Sequence, residues 1–307
     1  MEHIQHPPAR VAKAPTRLLD GLQRWLPKLV LSPSCVLVLF FVYGFIAWTS
    51  YISFSDSGMM PDYTWVGLHQ WSRLWTSWTW GIALHNIWVF GLLYIVSCIV
   101  LGLILAILLD QRIRAEGVLR TIYLYPMALS FIVTGTAWQW FLNPGLGLEK
   151  TMHDLGWQSF SFNWLIDSNM AIYTVVIAAV WQATGFVMAM FLAGLRGIDG
   201  EMIKAAQIDG APAWKIYARI IIPQLRPVFL SAVVVLAHLA IKSFDLIVAM
   251  TGGGPGNATA VPATFMYSYA FSRNEMGIAA ASAVFMLAVI AALIIPYLYS
   301  ELREPRS

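Results

Sequence analysis

Charge is what this chain has least of. Only 11% of its 307 residues are Asp, Glu, Lys or Arg, while 59% are apolar. Soluble domains carry roughly 25% charged residues, so this composition excludes an ordinary water-soluble fold. Cysteine is almost absent. Cys35 and Cys98 both lie inside apolar runs, which excludes a disulfide framework and a thiolate metal site. No Gly-Lys-Ser/Thr follows any glycine run, so the chain has no phosphate-binding loop of its own. No His-Glu-x-x-His, Ser/His/Asp arrangement or paired carboxylates speak for an enzyme. The net charge of +3 sits in short polar connections and calls for no nucleic acid.

What the chain does have is long hydrophobic runs. Six are near the roughly 20 residues that a bilayer requires: about 29–54, 85–109, 120–142, 170–195, 223–250 and 276–300. The expected fold class is therefore all-α integral membrane, with six transmembrane helices. A polar tail, 1–28, precedes a six-span membrane domain over 29–300, and a short tail, 301–307, follows. The first run is longer than a signal-peptide core and no small-residue cleavage site follows it, so it reads as a retained span.

Lys and Arg set the orientation. Fifteen lie on one side: Arg10, Lys13, Arg17, Arg24 and Lys28, Arg112, Arg114 and Arg120, Arg196, Lys204, Lys215, Arg219 and Arg226, and Arg303 and Arg306. Only Arg73, Lys150 and Arg273 lie on the other, with Lys242 inside a span. Both termini and the connection 196–223 are expected to face the cytoplasm.

That connection is a polar island between apolar runs. DGEMIKAAQIDGAPAWKIYARIIIP, 199–223, reads as two short helices with a turn at Asp209-Gly210. Asp199 suits the cap of the first helix, and Pro212 suits the first turn of the second. Ile203, Ala205 and Ala206 leave a small, flat apolar face, and Trp214, Ile216 and Tyr217 add larger surface. An element of this kind on one side of a membrane protein presents a docking surface.

Two outer connections carry their own signals. The first, about 55–84, holds Trp65, Trp71, Trp75, Trp78 and Trp80, which read as an aromatic belt at the membrane–water interface, in preference to the alternative of a platform on which a ring-bearing solute stacks. The third opens with TGGGPGNAT, where Gly252, Gly253, Gly254 and Pro255 demand sharp backbone turns.

Polar groups within the runs are few. His238, Lys242 and Asp245 are spaced i, i+4 and i+7, which on one continuous helix puts them on one face. Lys242 and Asp245 are then placed to neutralise each other. The stripe either lines a translocation cavity or fixes helix packing. Trp181, Gln182 and Thr184 in VWQATGF are open to the same pair of readings, with Trp181 offering an aromatic face and Gln182 two donors and an acceptor. Thr134, Thr136, Trp138, Gln139 and Trp140 are further cavity candidates.

KAAQIDGA followed by IIIP resembles the cytoplasmic coupling motif of binding-protein-dependent ABC importers. Ala205, Ala206, Gly210, Ile220 and Pro223 stand on the motif's positions. Lys204 stands where Glu is usual, and Glu201 lies on about the same face three residues earlier. FLAGLRGID, IKSFDLIVAMTGGGPG, FMYSYAFSRNEMG and PYLYSELR resemble the carbohydrate-uptake branch of these permeases. LLDQRIRAEGVLRTIYLYPMALS and LNPGLGL are similar to its glucose/mannose-type members.

The resemblance implies a type I importer permease fold and a transporter subunit, not an enzyme. It implies that Glu201, Lys204, Ala205, Ala206, Asp209, Gly210, Ala211 and Pro223 serve ATPase coupling. It places Trp181 and Gln182 in the substrate path. The implied partners are a second permease in a heterodimer, two ATP-binding subunits that use ATP and Mg, an extracytoplasmic sugar-binding protein and membrane lipid. No cofactor is expected on this chain. Two competing readings are a self-sufficient proton-coupled carrier, which needs no docking island, and an importer for a charged cargo, whose cavity should carry complementary charge.

Overall fold

The structure is a computed structural model that describes residues 28, 30–60, 62–111 and 114–303. The basic tail before Lys28, Arg112 and the last four residues lie outside the described residues. The chain divides into two compact units between Tyr51 and Ile52. Helix α1, Val30–Ile52, with a π turn at Leu39–Tyr43, supplies the first.

The remainder is helical too, and the one strand-like contact among the described residues is an isolated bridge between Ser55 and Trp65. Its helices are α2 (His69–Thr76), α3 (Trp78–Asp110), α4 (Glu116–Leu124), α5 (Phe131–Phe141), α6 (Leu148–Asp154) and α7 (Ala171–Arg196). There follow α8 (Gly200–Ile208), α9 (Ala213–Gln224), α10 (Arg226–Ile241), α11 (Phe244–Thr251), α12 (Pro262–Tyr267) and α13 (Met276–Arg303). Among the described residues four helices are long and apolar enough to cross a membrane, and up to six crossings result if each of two bent pairs counts as one.

Helix α7 is the centre of this unit. It is buried along most of its length, and α3 packs along it more extensively than any other pair of elements. Small residues make this possible, as expected where lipid supplies no hydrophobic drive between helices. Ala178, Ala179 and Ala183 are all buried on α7. At Gly185 a Cβ would stand 1.8 Å from the Tyr123 carbonyl oxygen, so nothing larger fits that crossing. The facing stripe of α3 runs through Phe90, Tyr94, Cys98, Gly102, Ala106 and Leu109 at steps of three and four, the helical repeat.

Three spans differ from the sequence expectation. Span two begins at Trp78 rather than 85. The third is a pair, Glu116–Ala128 and Phe131–Phe141, bent by 98°. A 3₁₀ turn holding Pro126 ends the first arm, Leu129 is extended, and Ser130 caps α5 by accepting from the Val133 N–H at 3.3 Å. The fifth bends by 64° between Gln224 and Arg226 and breaks again between α10 and α11. At that second break Ser243 turns its hydroxyl onto the Ala240 carbonyl at 2.7 Å, a local bond that competes with helix continuation.

The tryptophan-rich connection is partly core. Trp80 is 1% exposed and packs on Phe265 with ring centroids 5.1 Å apart, beside Leu74 and Ile278. The belt reading fails for it because a large apolar ring is buried wherever neighbours can cover it. Trp65, Trp75 and Trp78 are exposed. Buried Gln70 donates to the Ser55 carbonyl at 3.2 Å and to Asp56 at 3.0 Å, and Arg73 pairs with Glu275, so α2 is fastened to the start of α13.

Candidate functional site: the polar island and the spans behind it

The island forms as its local chemistry dictates. Asp199 accepts from the Glu201 N–H at 2.9 Å and caps α8, a contact typically worth about 1 kcal/mol. Helix α8 ends at Asp209, and Gly210 follows at φ +74°, in the left-handed region that L side chains rarely enter. The Ala211 N–H closes the turn on the Ala206 carbonyl at 3.0 Å. Pro212 is the cap residue of the next helix, one position before the first-turn place expected for it.

The two arms enclose a cleft of about 510 Å³, lined by Ala205, Ala206, Asp209, Arg219, Ile220 and Pro223 among others. Four motif positions, Ala205, Ala206, Ile220 and Pro223, thus share one concave wall, with Gly210 as the bend between its sides. Ile208 and Trp214 are 86% and 70% exposed. Glu201 and Lys204 are exposed on α8, and neither takes part in an ion pair.

Two sets of bonds fasten the island to the spans. Gln111, just past α3, donates to the Tyr217 hydroxyl at 3.0 Å. Arg196, the last residue of α7, lies 2.6 Å from Glu116 at the start of α4 and 3.8 Å from Asp110 at the end of α3. Solvent reaches all three side chains, so each pair contributes about 0–1 kcal/mol. Their value is positional, since one guanidinium holds three helix ends.

The polar groups inside the spans do not form a single stripe. His238 lies on α10, Lys242 caps its end, and Asp245 starts α11. The helix stops after Lys242, whose N–H still bonds the His238 carbonyl at 3.2 Å, so the i, i+4 relation holds and the i+7 place of Asp245 is lost. Lys242 and Asp245 are both exposed and, among the described residues, form no ion pair, which corrects the expected neutralisation. His238 keeps a buried Nδ1 with no partner.

Gln182, 3% exposed, donates to the Leu129 carbonyl at 2.8 Å, while its Oε1 is buried without a partner. Trp181 is 42% exposed and meets Trp138 edge to face, with centroids 5.8 Å apart. Thr134, also buried, has an unpartnered hydroxyl. Thr184 bonds the Val180 carbonyl of its own helix at 2.6 Å.

At the opposite end of α3 from Gln111 lies the glycine loop. Gly252, Gly253 and Gly256 all have positive φ, and the Gly254–Pro255 bond is cis. Asn86 of α3 donates to the Ala258 and Ala260 carbonyls at 3.0 and 2.9 Å and reaches that of Asn257 at 3.4 Å. Asn86, Gln111 and Arg196 are the residues that sequence reading passed over. Asn86 is the lone amide in the long apolar helix, and that was the available signal.

Solved structures share this architecture. A bacterial ABC transporter involved in the import of the acidic polysaccharide alginate superposes with a TM-score of 0.80 at 20% identity, covering 94% of this chain and all of that one. The fold is that of a membrane chain of an ABC importer. Residues 98–304 match the family of binding-protein-dependent transport system inner membrane components, and the chain belongs to that family.

Among curated relatives, a probable ABC transporter permease of Pyrococcus horikoshii is 41% identical, over 88% of this chain and 94% of its own length. The xylose/arabinose import permease XacH of Haloferax volcanii is 37% identical, over 88% of this chain and 86% of its own. The trehalose/maltose permease MalF of Thermococcus litoralis is 30% identical, over 88% and 91%.

Proposed function

We propose that this chain is one of two permease subunits of an ATP-driven sugar importer. It sits in the bacterial inner membrane with both termini and the island in the cytoplasm. It receives work from two ATPase subunits and solute from an extracytoplasmic sugar-binding protein. The observation that carries this reading is the island's cleft, where the motif positions Ala205, Ala206, Ile220 and Pro223 line one wall and Gly210 makes its bend. A concave, partly apolar, solvent-facing surface on a chain without a nucleotide loop is what an external motor requires.

The cargo is a glucose- or mannose-class sugar or a near relative, as LLDQRIRAEGVLRTIYLYPMALS and LNPGLGL imply. The named substrates of the relatives, pentoses and glucose disaccharides, belong to the same chemistry. A sugar is too polar to cross hydrocarbon unaided, and polar or ring-bearing side chains reachable from the spans, Trp181, Gln182, His238, Lys242 and Asp245, would line its path. Gly252 to Pro255 form part of the outer face. ATP and Mg bind the ATPase partners.

The test is reconstitution in proteoliposomes with the ATPase, second permease and binding protein encoded beside this chain. Uptake of radiolabelled glucose, mannose, xylose, arabinose, maltose and trehalose is measured with and without MgATP. ATP-dependent uptake of at least one sugar is expected. Sugar accumulation by the purified chain alone, or ATP hydrolysis by it, overturns the proposal.

A further inference from the structure

Helix α3 reaches both the island and the glycine loop. On the island side, Gln111 bonds Tyr217, and Asp110 stands at the Arg196 fork. On the other side, Asn86 holds two carbonyls of the glycine loop, those of Ala258 and Ala260. Between Asn86 and Gln111 the chain advances about 37 Å, at the helical rise of about 1.5 Å per residue. Helix α3 contains no proline to kink it over that distance. Its inner stripe lies along α7, so it is braced sideways and free to transmit along its length.

The two joints differ from the packing between them. They are hydrogen bonds and solvent-facing ion pairs rather than interlocked apolar surface. The inner joint is solvent-exposed, so breaking it leaves no cavity in the core. Asn86, 6% exposed, is the donor to loop carbonyls that would otherwise lose one.

We propose that α3 is a lever that couples the island to the glycine loop, with Asn86 as its outer joint and Gln111 and Arg196 as its inner ones. These are positioning residues and touch no solute. A displacement of α9 pulls on Tyr217 and hence on the end of α3. The same displacement reaches the loop at 257–260 through Asn86. Coupling of this kind needs a contiguous physical path and two arrangements of the end elements. The path here is one helix long. The inference rests on the reading of the island as the ATPase-docking element.

The experiment uses the complete complex in nanodiscs, with cysteine-free partner subunits, Cys35→Ser, and Ala258→Cys as reporter. The rate of labelling by a maleimide is measured without nucleotide and with MgATP plus vanadate. The parent complex should show a several-fold nucleotide-dependent change. That change should vanish in Asn86→Leu and in the double variant Gln111→Leu with Arg196→Gln, while the ATPase subunits still co-purify. Full retention of the change in both variants overturns the lever and leaves the importer reading intact. An assembled parent complex whose labelling ignores nucleotide overturns both. If Asn86→Leu does not assemble, the inner-joint variant, at exposed positions, decides alone.

Discussion

The side-chain nitrogen of Gln182 lies 2.8 Å from the Leu129 carbonyl oxygen, across from the 98° bend that interrupts the third span. The bend leaves that carbonyl without a helical partner, and Gln182 supplies one. A buried unpaired carbonyl costs about 1–3 kcal/mol. Gln182→Leu should therefore lower the unfolding midpoint of the purified complex in detergent. Gln182→Glu should do no better, since it faces an acceptor with an acceptor. Unchanged midpoints with an altered sugar preference would assign Gln182 to the solute path instead.

Gly210 has room for a Cβ, with nothing within 4 Å, but its φ of +74° excludes most side chains. The left-handed conformation costs an L residue roughly 1–2 kcal/mol, enough to reshape a turn this exposed. Gly210→Trp should abolish uptake while membrane insertion, read by protease protection, stays intact. Lys204→Glu, on an exposed helix face and outside any ion pair, should keep most uptake. Equal loss in both would mean that Lys204 makes an essential contact with the ATPase.

Lys242 and Asp245 are on different helices and unpaired. A double-mutant cycle on Lys242→Ala and Asp245→Ala should give a coupling within about 0.5 kcal/mol of zero, as for independent sites. The readout is the unfolding midpoint. A clearly larger coupling would restore the ion pair expected from spacing alone.

Gly185 is where α7 crosses the end of α4, and an added Cβ meets backbone, not a movable side chain. Overpacking against a fixed neighbour costs about 1–3 kcal/mol or more. Gly185→Ala should reduce the monodisperse yield of the complex on size exclusion, and Gly185→Val should remove it.

The crossings are legible in the sequence because each is a long apolar run with almost no charge, and length and hydropathy register nothing else. The breaks within them escape hydropathy for the same reason. Lys242-Ser243 contains neither glycine nor proline, and hydropathy does not change across a bend; Pro126 before the third-span bend, and Pro223 and Pro227 about the 64° bend, were the local signals left unused. Reading a helical repeat through the second break is what put Lys242 and Asp245 together. The island was legible in detail, since Asp199, Gly210 and Pro212 each carry a strong local preference. Trp80 was misplaced because an aromatic count cannot separate an interfacial ring from a buried one. Asn86 belongs to no motif, and its three contacts lie far along the chain.

The order of synthesis has a bearing on α7. It leaves the ribosome before α10 and α11, which later pack beside it, so for an interval it stands less shielded from lipid. Three of its buried polar side chains already have a partner for their donor, the first being Thr174, which bonds the Ala171 carbonyl of its own helix at 2.7 Å. Thr184 bonds within its own turn, and the oxygen that Gln182 requires belongs to Leu129, translated earlier. Biogenesis can thus seat the central helix against its predecessors without waiting for the C-terminal third of the chain.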